Sequence, residues 1–213
     1  MEQFSIYLPG ILLAYSAFLL SIMSPGPNVL AIMGTSMSIG RSSGVSLAMG
    51  VATGSFIWAM LTATGLSALL AAYAVVLTVI KIVGGLFLLW LAYKAFRSAA
   101  SAHDIEAQTL GNGSLTPRGY FLRGLTIQMT NPKAALAWIA IISLGLTTGA
   151  PIWVAFAVVA GTTIFSVVIH LLYAIAFSTP PMVRLYSRAR RWIQGVLGIF
   201  FAFAGMKLLT SRT

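Results

Sequence analysis

The sequence predicts an all-α membrane protein of six transmembrane helices, arranged as a 3+3 inverted repeat whose first and fourth helices are broken. Three observations predict it. Fifty-nine per cent of the residues are apolar and 8% are charged, with a mean hydropathy of +0.94; that composition excludes an ordinary soluble domain and points to repeated bilayer crossings. Six apolar segments can be drawn along the 213 residues. Two of them carry proline-centred interruptions at matching places, Ser24-Pro25-Gly26-Pro27-Asn28 in the first and Asn131-Pro132-Lys133 in the fourth.

The first segment, 4–38, is too long for one straight crossing, because about 20 helical residues span a hydrocarbon core of about 30 Å. Its start, Met1-Glu2-Gln3, lacks the basic stretch of a cleaved signal, so the run is expected to remain as a helix. The second segment, 44–71, contains Ser46, Gly50 and Gly54 at fourth-residue spacing, which permits close helix contact. The third is 75–96, followed by a polar loop, 97–118, with Gly111, Asn112, Gly113 and Pro117. The fourth, 119–147, is again overlong. The fifth is 152–177 and the sixth 192–209, with a connection at 178–191 that opens on Thr179-Pro180-Pro181. Residues 72–74 and 148–151 form short uncharged connections. The halves, about 4–96 and 119–209, sit in a single transmembrane domain covering 1–213. Because three is odd, they run in opposite orientation. Pro25 lies fifteen residues before the Gly40-Arg41 turn, and Pro132 lies seventeen before Gly149-Ala150.

Charge orients the chain. The net charge is +10, and the acidic residues are Glu2, Asp104 and Glu106, all outside the apolar runs. Arg41, Lys94, Arg97, Arg118, Arg123, Arg184, Arg188, Arg190 and Arg191 gather on one side, which is expected to be cytoplasmic, with both termini outside. Lys207 and Arg212 pull weakly the other way. Positive charge is therefore read as loop anchoring and not as nucleic-acid binding. The expected location is a cell inner (plasma) membrane, as a multi-pass protein in the lipid bilayer. There is no cysteine, no His/carboxylate metal cluster, no acid pair and no phosphate-binding glycine loop, so no metal, no cofactor and no enzyme activity is expected. A homo-oligomer is compatible with the sequence.

The breaks carry the chemistry. Prolines 25 and 27 supply no N–H, so the carbonyls of Ser21 and Met23 lose their helical donors, and Gly26 allows close approach. Asn28 falls near the start of the next half-helix, where it can cap exposed N–H groups suited to an anion. In the second half Pro132 frees the carbonyl of Gln128, Asn131 precedes the break and Lys133 adds a full positive charge. Broken helix is tolerated in a bilayer only where it packs in protein or lines a cavity, and a break in each half points to a transporter's binding site. The candidate substrate residues are Ser21, Ser24, Pro25, Gly26, Pro27, Asn28, Gln128, Asn131, Pro132 and Lys133.

The same residues resemble the LysE/RhtB family of amino-acid exporters. Ser24-Pro25-Gly26-Pro27-Asn28, then Gly40-Arg41-Ser42-Ser43-Gly44 and Gly50-Val51-Ala52-Thr53-Gly54, look like that family's first half. Lys81-Ile82-Val83-Gly84-Gly85 leading to Leu91-Ala92-Tyr93-Lys94 looks like its third helix, and Arg123-Gly124 followed by Asn131-Pro132-Lys133-Ala134 looks like its fourth. The resemblance covers about residues 5 to 207. It implies a secondary active exporter of amino acids or close derivatives, driven by the proton gradient. Two positions depart from the family pattern: Ser55 stands where many members carry an acid after the second-helix glycine, and Gln128 where Asn is frequent.

Without a carboxylate in any span, a substrate lysine or arginine side chain would lack a counter-ion, so a neutral or zwitterionic amino acid is expected. Its carboxylate would face Asn28, the half-helix N-terminus and Lys133. Its ammonium would take the carbonyls of Ser21, Met23 and Gln128. Lys81 either snorkels to the outer interface or serves the substrate. His170 is either a structurally hydrogen-bonded histidine or the proton-coupling group, since it titrates near neutrality in its unperturbed form. The competing readings are a passive channel and a non-transporting accessory subunit.

Overall fold

The structure is a computed structural model that describes residues 2–24, 26–72, 74–101, 115–146 and 149–210, with the side chains of 2–4, 66–81, 132, 183 and 187 outside that description. The described residues form helices and turns without strands. In chain order they are α1 (Glu2–Met23), α2 (Pro27–Ser38), α3 (Arg41–Ala72), α4 (Ala74–Ala100), α5 (Pro117–Thr130), α6 (Pro132–Gly145), α7 (Ile152–Ala176) and α8 (Pro180–Thr210). Five of these are long and apolar enough to cross a membrane, and α6 is a shorter apolar helix. The first and fourth apolar segments are each two helices, as the prolines require.

The sequence grammar of the breaks is shared. Proline occupies the first turn of α2, α5 and α6, where its missing N–H would have had no intrahelical partner anyway. The half-helices α2 and α6 are each followed by a glycine with positive φ, Gly40 at 124° and Gly149 at 79°, a conformation other residues adopt only with strain.

One boundary differs from the sequence expectation. The connection drawn at 178–191 is largely helix, because α8 starts at Pro180 and runs 31 residues to Thr210. Two prolines suit a first helical turn, and the arginines that follow are good helix formers lying beyond the apolar span. Likewise α4 continues to Ala100 and α5 starts at Pro117, inside the expected 97–118 loop; residues 102–114, with His103, Asp104 and Glu106, lie outside the described residues.

The helices separate inside from outside by fourth-residue stripes. On α7, Val154, Val158, Thr162, Ser166, His170 and Ala174 are buried, whereas Ile152, Phe156, Ile164, Val168 and Leu172 are exposed. Large exposed apolar side chains on a chain of this composition are a lipid-facing belt. The main core joins α1, α3, α4, α6, α7 and α8, with Phe18, Trp138, Ile142, Val158 and Phe201 among its buried members. The closest approach is between α3 and α5: a Cβ added to Gly50 would sit 1.9 Å from the carbonyl oxygen of Phe121, and one on Gly124 would sit 2.1 Å from that of Leu47. Backbone meets backbone there, as small residues allow in membrane helix pairs. On the other side α1 packs on α7, where Tyr15 lies against Gly161 and donates its hydroxyl to the Ala157 carbonyl at 2.5 Å.

Candidate substrate site

The two breaks face each other. At the first, the Ser24 amide still reaches the Leu20 carbonyl at 3.1 Å. The chain then runs through extended Gly26 (φ −143°, ψ 178°), which caps α2 without a side-chain hydrogen bond. At the second, Asn131 ends α5 and caps α6 at once, its side chain accepting the Lys133 amide at 3.0 Å. The sequence expectation that Asn28 caps α2 is corrected. Asn28 is the second residue of that helix, two places after the Gly26 cap, and its side chain turns across to the other break.

There it meets the other break. Asn131 Nδ2 donates to Asn28 Oδ1 at 2.6 Å, and Asn28 Nδ2 donates to Gln128 Oε1. Lys133 Nζ donates to the backbone carbonyl of Ser24 at 3.1 Å. The aliphatic stem of Lys133 lies against Gly26, where an added Cβ would be 3.4 Å from its Cδ. Gln128 and Asn131 are buried, at 3% and 6% exposure, so their amide groups depend on this network for hydrogen bonds.

The glycine stripe of α3 places Gln128. An added Cβ on Gly54 would be 2.8 Å from Gln128 Cγ. One turn further, Trp58 donates its indole N–H to the Gln128 carbonyl at 3.2 Å, and the Asn131 amide reaches the same oxygen at 3.4 Å. This is the carbonyl that Pro132 leaves without a helical donor. The carbonyl expected to face a substrate ammonium thus already accepts from two protein N–H groups.

Of the predicted residues, Ser21, Ser24, Gly26, Asn28, Gln128, Asn131 and Lys133 line one small cavity. Pro25 lies outside the described residues, and so does the side chain of Pro132. The cavity holds about 30 Å³, room for roughly two waters. Its far wall is apolar, formed by Phe18 and Trp138 with ring centroids 5.1 Å apart. Ser55, buried on α3, also lines it, at the position where many members of the resembled family carry an acid. Ser55, Trp58, Phe18 and Trp138 are the site residues that sequence reasoning did not select. The one signal for Ser55 is its place beside Gly54.

A second, larger space of about 600 Å³ begins at the same residues, sharing Ser24, Gly26, Asn131 and Lys133, with Pro27 beside them. From there it extends between the ends of α4 and α8, past Trp90, Lys94, Arg97, Arg190 and Gln194. This vestibule carries four cationic side chains, and no carboxylate side chain faces it among the described residues.

The two remaining candidates stand apart. Lys81 belongs to the α4 backbone, but its side chain lies outside the described residues. His170 is buried on α7, lines neither space, and places Nδ1 2.8 Å from the Ser166 carbonyl and 3.2 Å from the Ser166 hydroxyl. Its Nε2 is buried without a partner.

Comparison with known proteins agrees with this architecture. The LysE type translocator family matches residues 19–212. An uncharacterized membrane protein of Escherichia coli K12, YahN, is 30% identical over 203 residues, covering 95% of this chain and 90% of its own. The threonine efflux protein of Salmonella typhimurium LT2 is 32% identical over 199 residues, covering 91% and 94%. The leucine efflux protein of Klebsiella pneumoniae is 30% identical over 120 residues, covering 56% and 55%. No solved structure gives a significant match.

Proposed function

The chain belongs to the LysE type translocator family, and on that premise we propose that it is a secondary active exporter of neutral or zwitterionic amino acids. The observation that carries this reading is the joined pair of breaks, in which Asn28, Gln128, Asn131 and Lys133 meet around one cavity. Threonine and leucine, the substrates in the names of two relatives, are the first compounds to test.

In this reading the substrate carboxylate takes Lys133 Nζ away from the Ser24 carbonyl and accepts from the Asn28 amide. Its ammonium takes the carbonyls of Ser21 and Met23, whose helical donors are replaced by Pro25 and Pro27. Ser55 offers a hydroxyl to a polar side chain. A cationic side chain would find no counter-ion, since the acidic residues of the chain are Glu2, Asp104 and Glu106. With a volume of about 30 Å³ the cavity must expand for any amino acid, and the half-helices α2 and α6 are the elements that can move. The basic vestibule faces the cytoplasm under the positive-inside rule, which makes it the entry for substrate in an alternating-access cycle. Two halves in inverted orientation are supported by the paired breaks, the paired positive-φ glycines and the matching contacts of α5 on α3 and α1 on α7. The proton gradient drives export, and Lys133 is the ionisable side chain placed in the cavity.

Purified protein in liposomes tests the reading. Uphill efflux of threonine or leucine that collapses with an uncoupler is the expected result. Downhill flux insensitive to an uncoupler would mean a channel, and export of lysine alone would overturn the substrate class.

A further inference from the structure

The vestibule contains more than a row of orientation charges. The positive-inside rule asks only that arginines sit near the headgroups, and Arg184, Arg188 and Arg191 do so as exposed residues. Arg190 does not. It is 6% exposed and lines the vestibule. One of its nitrogens, Nη2, donates to the Ser101 carbonyl at 2.7 Å, while a guanidinium carries five N–H donors. One turn along α8, Gln194 is 2% exposed and lines the same wall. On the facing helix α4, Lys94 holds its ammonium 4.3 Å from the Trp90 ring centroid, which leaves its charge directed into the same space. Among the described residues no carboxylate pairs with this guanidinium, and a buried charge is costly to hold alone.

We infer that Arg190 and Gln194, with Lys94 opposite, form a second binding site that takes a small carboxylate from the basic side. A guanidinium edge and an amide N–H suit the two oxygens of a carboxylate. The vestibule's volume of about 600 Å³ admits an amino acid, and its inner end is Asn131 and Lys133. Arg190, Lys94 and Lys133 line this one space, so a carboxylate held at Arg190 shares it with the lysine of the central cavity. Only this last step, delivery of a substrate carboxylate, rests on the export reading; the anion site itself does not.

Trp90 reports on the site. In phosphatidylcholine nanodiscs, iodide should quench the Trp90 share of the fluorescence, defined by Trp90→Phe, about threefold more than neutral acrylamide does relative to exposed Trp192, because a cationic cleft concentrates anions. Arg190→Gln should cut the iodide effect to about half while leaving acrylamide quenching unchanged. Acetate and threonine should relieve iodide quenching, and threoninamide, which lacks the carboxylate, should not. In liposomes Arg190→Gln should raise the KM for threonine efflux about fivefold with little change in kcat, the signature of lost ground-state binding. If Arg190→Gln does not fold, Gln194→Leu and exposed Lys94→Gln give the same readouts. Iodide quenching indifferent to acetate, or unchanged in these variants, overturns the inference. So does quenching suppressed by phosphatidylglycerol but not by acetate, which would assign the arginine to a lipid headgroup. Acetate relief in a protein that exports no amino acid would keep the site and overturn the export reading instead.

Discussion

The two breaks have the same backbone lesion and opposite chemistry. Each ends one helix and starts another on a proline. At the first, Gly26 caps α2 with no side chain, so what that break offers is backbone: the Ser24 carbonyl held by Lys133, and the carbonyls left by Pro25 and Pro27. At the second, Asn131 caps α6 and Lys133 follows, so what it offers is side chains. The first break supplies backbone acceptors with the Asn28 amide beside them, and the second supplies side chains and the charge. A zwitterion needs both, and a symmetric pair of identical breaks would supply only one twice. Asn28 and Gln128, each from the half that its own break does not otherwise equip, stitch the two together.

The contrast can be broken in graded steps. Gly124→Leu should do the most damage, because the side chain has nowhere to go against the Leu47 carbonyl; α5 would leave α3, and little folded protein should survive detergent extraction and size-exclusion chromatography. Lys133→Gln removes the single charge of the second break, and threonine efflux should fall about 100-fold, equivalent to about 2.7 kcal/mol, at unchanged protein yield. Asn131→Ala removes a cap worth about 1 kcal/mol and a bond to Asn28, so both thermal stability and efflux should drop. Gly26→Ala, the corresponding change at the uncapped break, meets only the flexible end of Lys133 and should cost efflux less than Asn131→Ala does. If the two cost the same, the proposed division of labour is wrong. Smallest of all, His170→Gln should keep pH-driven efflux, since His170 lines neither space; loss of the pH response alone would return it to the coupling path.

The prolines made the breaks legible in the sequence, because a missing N–H is a local property that needs no fold to interpret. Their partners were less so. Asn28 reads as a cap from its position near a helix start, but a shift of two residues sends its amide to Gln128. Trp58 and Ser55 sit in an apolar segment where a tryptophan or a serine is ordinarily packing. Their role depends on the rotation of α3 against α5, set by Gly50, Gly54 and Gly124. The start of α8 was hidden because two prolines and a run of arginines look like a loop until the helix is seen to extend past the apolar span. Arg190 illustrates the same limit: its charge was plain, and its burial was not.

The contact at Gly50 and Gly124 has a mechanical consequence. With each glycine pressed on the opposing main chain, α3 and α5 can neither slip along nor roll over one another without driving a side chain into a carbonyl. They form a fixed axle that carries Gln128, Trp58 and Ser55 as one unit. In the proposed cycle, opening and closing would then be borne by parts outside that axle, chiefly the half-helices α2 and α6, with α6 meeting α1 at the Phe18–Trp138 contact. The chain contains no cysteine, so introduced pairs would stand on a clean background. A disulfide across α3 and α5 should leave transport running, while one joining positions 18 and 138 should stall it.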